Sequence, residues 1–382
     1  MENFIVSARK YRPAQFLDVV GQEQVSETLK KALLSGKLAQ SFLFCGPRGV
    51  GKTTCARILA KAINCENPNA DLEPCNVCPS CTSFNQNASF NIFELDAASN
   101  NSVDDIRQLV DQVRYAPQSG KYKVYIIDEV HMLSQGAFNA FLKTLEEPPS
   151  YAIFILATTE KHKIIPTILS RCQIFDFKRI SEKDIVKQLH KICDNEHVQA
   201  EESALHVIAR KADGGMRDAL SLFDKIVGFS GKTLNYQDVI QNLNILDYEY
   251  YFRFTEYFME EDAGACLNAF NEIINNGFDG EIFLQGLAEH IRNLLVCKDE
   301  KTADLLESAE DVKVRYNEQA AQIPQTFLLN ALQIINQCDI DYKTSKNKRL
   351  QIEVALLKIC FLNTQIENTL SVLLGEKKNW MI

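Results

Sequence analysis

The sequence predicts an α/β domain with a parallel sheet, followed by helical regions. A glycine-rich segment at 46–53 lies between an apolar strand at 41–45 and a helix at 52–64. Further short apolar runs alternate with helical patterns up to Phe177, and this alternation favours a parallel sheet with helices on both faces. From about Ser181 onward the strand pattern gives way to helical periodicity, which continues to about Asn363.

The glycine-rich segment fits the phosphate-binding pattern G-x-x-x-x-G-K-[ST]. Glycines let the backbone approach phosphates closely, and the N–H groups at a helix start face an anion. We expect Lys52 to reach the β- and γ-phosphates and Thr53 to ligate Mg²⁺. A chance glycine-rich turn is the alternative, which the strand–loop–helix context disfavours. The predicted nucleotide contacts are Gly46, Pro47, Arg48, Gly49, Val50, Gly51, Lys52, Thr53 and Thr54.

Four cysteines follow the predicted phosphate-binding helix. Cys65 ends the helix, and Cys75, Cys78 and Cys81 form two C-x-x-C steps that share Cys78. Four thiolates suit tetrahedral Zn²⁺, and no ligand position is left open for catalysis. We therefore predict a structural zinc knuckle, with four buried free thiols as the alternative. The other eight cysteines are scattered in mostly apolar contexts and are interpreted as core residues.

The next elements continue the alternation. A short strand is predicted at 91–95 and a helix at 102–115, which carries apolar residues at helical spacing. The apolar strand that begins at Val124 ends in Asp128 and Glu129. After a phosphate-binding loop, such a strand places its first acid near Mg²⁺ and its second where it can act as a base toward water. The alternative is a buried strand that ends in a solvated acidic turn.

A helix is predicted at 136–147, where Pro148 and Pro149 stop it. The run 152–158 is a continuous apolar strand, as expected for a parallel strand covered on both faces. The last predicted strand is 173–177. Three helical stretches then reach about Leu243, and a second helical block runs from about Asp247 to Asn363.

Composition limits the classes of function. The net charge is −9, so contact with nucleic acid would need a local basic patch rather than the whole surface. No signal peptide and no membrane-spanning apolar run are evident, which favours a cytoplasmic protein. Asp128 and Glu129 are explained by a bound nucleotide, and no other carboxylate cluster suggests a two-metal catalytic centre.

These motifs together resemble the gamma/tau family of bacterial DNA polymerase III clamp-loader subunits, which are AAA+ ATPases. The matching segments cover the first 220 residues in order: Arg9–Pro13, Val20–Gln22, the 46–53 loop, the four cysteines, Asp128–His131, Ala157–Thr159, Ser170–Cys172 and Gly215–Ala219. The four-cysteine insertion separates this family from other AAA+ ATPases. The helical remainder is compatible with the family but less diagnostic.

The resemblance implies further roles. Thr159, or its neighbour Thr158, is expected to sense the γ-phosphate. Arg217 is expected to be a second sensor on a helical lid, and Arg171 an arginine finger that reaches the ATP of a neighbouring subunit. A solvated surface arginine is the alternative for Arg171. Four residues, and Gly21 beside them, are expected near the adenine or ribose: Tyr11, Arg12, Val19 and Val20.

The resemblance also predicts a domain organisation. An AAA+ domain at 1–179 contains the zinc knuckle at 65–81, a helical lid follows at 180–243, a helical collar at 244–365 and a short tail at 366–382. Two departures from relatives are apparent. The segment 98–102 is uncharged where relatives often carry basic residues, which predicts a weak contribution to DNA binding. Because the chain stops at Ile382, we expect no tight binding to the polymerase or the helicase, unlike tau-type relatives.

The expected function is that of an ATP-driven clamp-loader motor that loads the sliding clamp onto primed DNA, with ATP, Mg²⁺ and Zn²⁺ bound. Expected partners are delta-type and delta-prime-type subunits, copies of itself, the clamp and primed DNA. The resemblance also implies a location in the cytoplasm, associated with the nucleoid. Two alternatives stay open. One is an ATP-binding scaffold that does not hydrolyse, which the intact Lys52, Thr53, Asp128 and Glu129 disfavour. The other is a branch-migration helicase, which the cysteine knuckle disfavours.

Overall fold

The computed structural model describes residues 5–117, 120–243, 246–299, 301–302, 306 and 310–364. These residues form two compact units. The first reaches Ala200 and includes Val207–Leu234, and the second consists of Glu201–His206 and the chain from Asn235 onward. The predicted tail 366–382 lies outside the described residues. Within the described residues, no helix has both the length and the apolar character that a membrane span requires.

The first unit is built on the predicted parallel sheet. Its strand order is β2-β3-β4-β1-β5, and every neighbouring pair is parallel. The register places Cys45 beside Thr158 and Asp96 beside Asp128, so the carboxyl ends of these strands lie at one edge. The strands are β1 (Ser41–Cys45), β2 (Ile92–Asp96), β3 (Lys123–Asp128), β4 (Ala152–Thr158) and β5 (Gln173–Asp176).

Helices connect the strands and cover both faces of the sheet. Ser102 caps α5 through a reciprocal capping box with Asp105, and Ser134 caps α6. The predicted helices at 102–115 and 136–147 differ from α5 and α6 by one or two residues at each end. The helices before the last strand are α1 (Ser7–Lys10), α2 (Glu23–Leu34), α3 (Lys52–Asn64), α4 (Pro79–Asn85), α5 (Val103–Val113), α6 (Gln135–Glu146) and α7 (Pro166–Leu169).

Strand β1 shows why the central strands are mostly apolar. All five of its residues are buried. Phe42 and Phe44 pack into one core cluster, together with buried residues of α3, whereas Leu43 and Cys45 pack into a second cluster with α5 and α6. Alternate side chains therefore pack on opposite faces of the sheet, and the strand is buried on both faces.

After the sheet, helices α8 (Glu182–Glu196), α9 (Glu202–Lys211), α10 (Met216–Ser230) and α11 (Tyr236–Leu243) follow in order. The sequence predicts three helical stretches here and no strand, and both details are wrong. There are four helices, and the two-residue strands β6 (Gln199–Ala200) and β7 (Thr233–Leu234) pair in parallel. Strands this short are too brief to show an alternating pattern.

The second unit is helical throughout its described elements, as predicted. Its core is rich in aromatic residues, among them Phe254, Phe270, Phe283 and Phe327, which are fully buried. The elements are α12 (Tyr248–Met259), α13 (Ala263–Asn275), α14 (Gly280–Val296), α15 (Glu310–Gln322), α16 (Gln325–Tyr342) and α17 (Lys348–Cys360).

A histidine is buried in this core. His290 on α14 is 1% exposed, with Nδ1 lying 3.1 Å from the Tyr316 hydroxyl and Nε2 lying 3.2 Å from Gln319 Oε1. The Phe252 ring meets the imidazole edge-to-face at 4.8 Å. Burial lowers the pKa of His290 to about 3, because the charged imidazolium would lose its hydration. The neighbouring Arg315 cation adds to this shift.

The lowered pKa of His290 predicts that the second unit loses stability in acid. Below the ordinary pKa of about 6.5 the unfolded chain binds a proton at this site, whereas the folded chain does not until about pH 3. The stability lost between pH 7.5 and pH 5 through this group is about 2 kcal/mol. Replacing His290 with Gln should remove that part of the acid dependence, although the variant is less stable at neutral pH because ring packing is lost.

Urea unfolding followed by circular dichroism at both pH values measures the difference. His162→Gln is the control, since that side chain is 76% exposed. If the stability of the His290→Gln variant falls with pH as much as that of the parent, His290 is not the group whose protonation causes this loss.

Candidate functional site

The glycine-rich loop between β1 and α3 has a backbone that only glycine accommodates well. Gly46, Gly49 and Gly51 have φ values of 148°, 76° and 104°. A Cβ atom on Gly46 would lie 2.4 Å from the carbonyl oxygen of Phe177. The loop leads directly into the N-terminus of α3, where free backbone N–H groups favour an anion.

Lys52, the first residue of α3, is only 6% exposed. Its Nζ donates hydrogen bonds to the carbonyl oxygens of Gly46 at 2.8 Å and Pro47 at 2.7 Å. Burial lowers the pKa of Lys52, and the carboxylates of Glu129 and Asp128 partly oppose that shift. The ammonium group is thus held inside the loop, close to the N-terminus of the helix.

The next residue links the loop to the neighbouring strand. The Thr53 hydroxyl donates to Asp128 Oδ2 at 2.6 Å. Asp128 is the last residue of β3, so the parallel register brings its carboxylate to the edge where the loop begins. The pair supplies a hydroxyl oxygen and a carboxylate oxygen, and oxygen atoms are the ligands that Mg²⁺ prefers.

Glu129 lies beside this pair in a left-handed backbone conformation, with φ of 48°. Its Oε2 accepts hydrogen bonds from Thr159, from the hydroxyl at 3.0 Å and from the backbone N–H at 3.3 Å. Thr158, in contrast, is fully buried, and its hydroxyl oxygen lies 3.1 Å from His131 Nδ1. Of the two candidate threonines, Thr159 is the one that contacts Glu129.

His131 and Glu160 complete this network and were not singled out from the sequence. His131 Nε2 lies 3.0 Å from Glu160 Oε2, and its Nδ1 lies 3.5 Å from Glu129 Oε2. Glu160 also accepts a hydrogen bond from Lys163 at 2.7 Å. Only their positions in the sequence could have indicated these two residues: His131 follows the Asp-Glu pair by two residues, and Glu160 directly follows Thr159.

The loop opens into a cleft with an empty volume of about 1000 Å³, including its open mouth. Arg48 to Thr54 line it, as do the four residues expected near a base or ribose, Tyr11, Arg12, Val19 and Val20. Gly46, Pro47 and Gly21 are not among the lining residues. The apolar lining includes three residues that sequence analysis missed, Ile180, Met216 and Leu220. Leu220 could have been found, since it lies three residues after Arg217 on one helix face.

Positive charge concentrates in this cleft. Arg12, Arg48, Lys52 and Arg217 line it, against the carboxylates of Asp18, Asp128 and Glu129. Burial lowers the pKa of Arg12, and the nearby cations Arg57 and Arg217 act in the same direction. Such mutual repulsion is relieved by an anion, so the cleft suits a ligand with several negative charges.

Arg217 reaches the cleft because α10 begins against the loop. Its backbone N–H donates to the Gly49 carbonyl oxygen at 3.4 Å. A Cβ atom on Gly215 would lie 3.2 Å from the Arg48 carbonyl oxygen, so this position needs a small residue. The helical segment after the sheet therefore contributes directly to the same cleft.

Arg171 lies elsewhere. It is not among the described residues that line the cleft, and its guanidinium donates to Glu146 Oε1 at 2.7 Å and to the Thr167 carbonyl oxygen at 2.7 Å. Its side chain is 33% exposed. Arg171 therefore does not contribute to the cleft of its own chain.

The four cysteines of the predicted knuckle come together. The sulfur atoms of Cys65, Cys75, Cys78 and Cys81 all lie within 4.8 Å of one another, and those of Cys65 and Cys75 are 3.5 Å apart. Four sulfurs around tetrahedral Zn²⁺, each at about 2.3 Å, would be about 3.8 Å apart. The residues present therefore fit Zn²⁺.

Backbone geometry around the sulfurs also fits a metal. The N–H of Cys75 donates to Cys65 Sγ and that of Cys78 to Cys75 Sγ, both at 3.3 Å. Backbone N–H groups, that of Val77 first, lower the pKa of the Cys75 thiol to about 6. Burial raises the pKa values of Cys65 and Cys81, so metal binding there must displace protons.

Family comparisons match successive parts of the chain. A family described as "DNA polymerase III, delta subunit" matches residues 21–181. A clamp-loader ATPase lid domain matches 184–232, and domain III of DNA polymerase III subunits gamma and tau matches 234–372.

Individual relatives cover nearly all of this chain. The tau subunit of Bacillus subtilis is 46% identical over 92% of this chain and 62% of its own length. That of Escherichia coli is 38% identical over 93% and 55%. The gamma subunit of Buchnera aphidicola is 34% identical over 94% of this chain and 99% of its own length. The chain thus spans somewhat over half the length of the two tau relatives.

Two solved structures that resemble this chain are more distant in sequence than these relatives. The RuvB branch-migration motor of Thermotoga maritima is 20% identical with a TM-score of 0.46, over 65% of this chain and 80% of its own. The clamp-loader delta protein of Bacillus subtilis is 16% identical with a TM-score of 0.38, over 87% and 99%. Neither TM-score reaches 0.5, so the family assignment depends on the sequence matches.

The sulfur cluster predicts one Zn²⁺ per chain in protein purified without chelators, because four thiolates complete a tetrahedral site. Elemental analysis measures the metal content. Replacing Cys78 with Ser should reduce it several-fold. Cys193→Ser is the matched control, since Cys193 is a buried free cysteine outside the cluster. Metal-free parent protein, or equal zinc in both variants, would contradict the site.

Proposed function

The chain belongs to the gamma/tau family of bacterial DNA polymerase III subunits, and from this premise we propose that it is an ATP-driven motor subunit of a clamp loader. ATP binding would let the assembly open the sliding clamp on primed DNA, and hydrolysis would release the clamp. The observation that supports this most is the convergence of Lys52, Thr53, Asp128 and Glu129 in one cleft.

In this proposal the loop and Lys52 bind the phosphates. The ammonium group, held by the Gly46 and Pro47 carbonyl oxygens, would exchange those partners for β- and γ-phosphate oxygens. This exchange favours binding, because charged oxygens attract the ammonium more strongly than neutral carbonyl oxygens do. Lys52 would then neutralise charge as the γ-phosphoryl group is transferred.

Thr53 and Asp128 are the residues that would hold Mg²⁺. Their oxygens are already 2.6 Å apart, joined by a hydrogen bond that metal binding would break. When bound, Mg²⁺ neutralises charge on the β- and γ-phosphates.

Glu129 is proposed as the base that accepts a proton from the attacking water. Its Oε2 takes two hydrogen bonds from Thr159, so Thr159 orients the carboxylate and is placed to respond to the γ-phosphate nearby. Geometry precedes pKa in assigning a general base, and the two hydrogen bonds from Thr159 support this role because they orient the Glu129 carboxylate.

Arg217 and Arg171 would act from different chains. Arg217 lines the cleft and would contact phosphate when the helical lid lies against it. Arg171 would neutralise charge on the ATP of a neighbouring subunit, after leaving its ion pair with Glu146. An arginine in this role contributes roughly 10³–10⁵ in rate.

The remaining parts of the chain are proposed to support assembly. Residues 1–179 would form the ATPase domain, 180–243 the lid, and 244–365 a collar through which subunits associate. Partners would be delta-type and delta-prime-type subunits, further copies of this chain, the clamp and primed DNA. The cysteine cluster would be a structural zinc site, since four thiolates leave no open coordination position.

The division of labour between Lys52 and Arg171 predicts complementation. Lys52→Ala should lower ATP turnover by orders of magnitude, because the phosphates lose their main cationic contact. Arg171→Ala should keep ATP affinity but lose turnover stimulated by clamp and DNA. Mixed assemblies of the two variants should regain activity, because the intact Lys52 of an Arg171→Ala chain can lie opposite the intact Arg171 of a Lys52→Ala chain at one interface.

Steady-state ATP hydrolysis measures each assembly, with formation of mixed assemblies checked by native mass spectrometry. Glu146→Gln is the matched control, since it frees Arg171 from its partner and should retain turnover. If mixed assemblies form but turnover never recovers, Arg171 does not act across a subunit interface.

A further inference from the structure

One buried carboxylate of the cysteine insertion has no part in the sites described above. Glu73 lies two residues before Cys75, and its side chain is 0% exposed. Burying a charged carboxylate is costly unless its oxygens find partners, so the contacts of Glu73 indicate what it holds in place.

Both carboxylate oxygens of Glu73 contact the N-terminal part of the first unit. Oε2 accepts a hydrogen bond from the backbone N–H of Phe16 at 2.8 Å. Oε1 lies 2.7 Å from the ammonium nitrogen of Lys30 on α2, an ion pair in which Lys30 is 18% exposed. The carboxylate thus joins the cysteine insertion to two segments that are more than forty residues away in the sequence.

The insertion fixes Glu73 tightly. The Asn69 side chain closes a turn over residues 69–73, because its Oδ1 accepts the Glu73 N–H at 2.8 Å. Within this turn Leu72 has a left-handed φ of 55°. The chain then passes through Pro74 to Cys75, whose N–H donates to Cys65 Sγ. The position of Glu73 therefore depends on the fold of the cysteine cluster.

At the other end, Phe16 begins the segment that borders the cleft. We call residues 16–20 the base strap. Phe16 is 2% exposed and starts a single helical turn, Phe16–Asp18, closed by the Val19 N–H donating to the Phe16 carbonyl oxygen at 3.2 Å. Asp18, Val19 and Val20 then line the cleft. Glu73 caps the first N–H of this turn, which has no partner within the turn itself.

We propose that Glu73 is a positioning residue through which the metal-holding insertion sets the affinity of the cleft for the base and ribose of its nucleotide. This inference rests on the proposed function, because it takes a nucleoside triphosphate as the ligand. Glu73 touches no nucleotide itself. It fixes the base strap, whereas the phosphates are held by the separate loop at 46–53.

This separation predicts a selective effect. Replacing Glu73 with Ala frees the Phe16 N–H and the strap, so ATP should bind roughly tenfold more weakly, the loss expected for one buried charge-assisted hydrogen bond. Inorganic tripolyphosphate carries the phosphates without the base or ribose. Its affinity should not change, because Lys52 and the glycine loop are untouched. In turnover assays KM for ATP should rise while kcat is retained.

The experiment measures binding of ATP and of tripolyphosphate by calorimetry to the full chain. Glu73→Gln is the milder second variant: it keeps the shape and an acceptor for the Phe16 N–H, and it should weaken ATP binding less than Ala does. Asp71→Asn removes one negative charge from the exposed part of the same insertion and should change neither affinity.

Removing metal from the cysteine cluster tests independently whether the cluster affects ATP affinity through Glu73. Stripping the cysteine cluster of the parent chain with a chelator should weaken ATP binding selectively, as Glu73→Ala does. The same treatment of the Glu73→Ala chain should add little, because both changes release the same strap and their effects are not additive.

The outcomes separate the two proposals. If the parent chain binds no ATP, the proposed function fails. If the parent binds ATP and the Glu73→Ala variant binds it equally well, or if ATP and tripolyphosphate weaken together, the role of Glu73 is wrong. Equal ATP affinity of the parent with and without metal would also overturn the link to the cysteine cluster.

Discussion

The parallel order β2-β3-β4-β1-β5 is the constraint on which the site depends. Because neighbouring strands run the same way, the loop after β1, the carboxylates after β3 and the threonines after β4 meet at one edge. The hydrogen bond between Thr53 and Asp128 joins two of these three segments at 2.6 Å. Burial on both faces keeps the strands in this register, since a slip of one residue would exchange Phe42 and Phe44 with Leu43 and Cys45 across the sheet.

Buried charged side chains favour one arrangement of the segments in the first unit. Lys52 and Glu73 are both almost fully buried, and each is held by partners from distant segments or from the loop itself. A buried charge that loses its partner is strongly destabilising, so such contacts favour one arrangement over its alternatives. Lys52 lies inside the glycine loop, and Glu73 lies where the cysteine insertion meets the N-terminal segment. The cleft and the cysteine cluster are consequently connected by contacts within the first unit.

The sequence predicted the features that depend on local pattern. The glycine loop, the acids that end β3 and the four clustered cysteines each carry their chemistry within a few residues. Some features that depend on pairing between distant segments were not predicted. Thr158 and Thr159 were equivalent in the sequence, and only the fold buries one and turns the other toward Glu129. The contact between Glu73 and Phe16 spans 57 residues and has no sequence signature. Strands β6 and β7 are too short for any periodicity.

The central claim is that this cleft binds ATP and that Glu129 activates water to hydrolyse it. The most direct measurement compares the parent chain with Glu129→Gln, which keeps the size of the side chain and an acceptor for Thr159 but removes the base. ATP affinity and single-turnover hydrolysis are measured in the presence of clamp, partner subunits and primed DNA. The account predicts unchanged ATP affinity with hydrolysis slower by about 10²–10⁴-fold, the range for loss of a general base. Hydrolysis at the parent rate in the Glu129→Gln chain would contradict it.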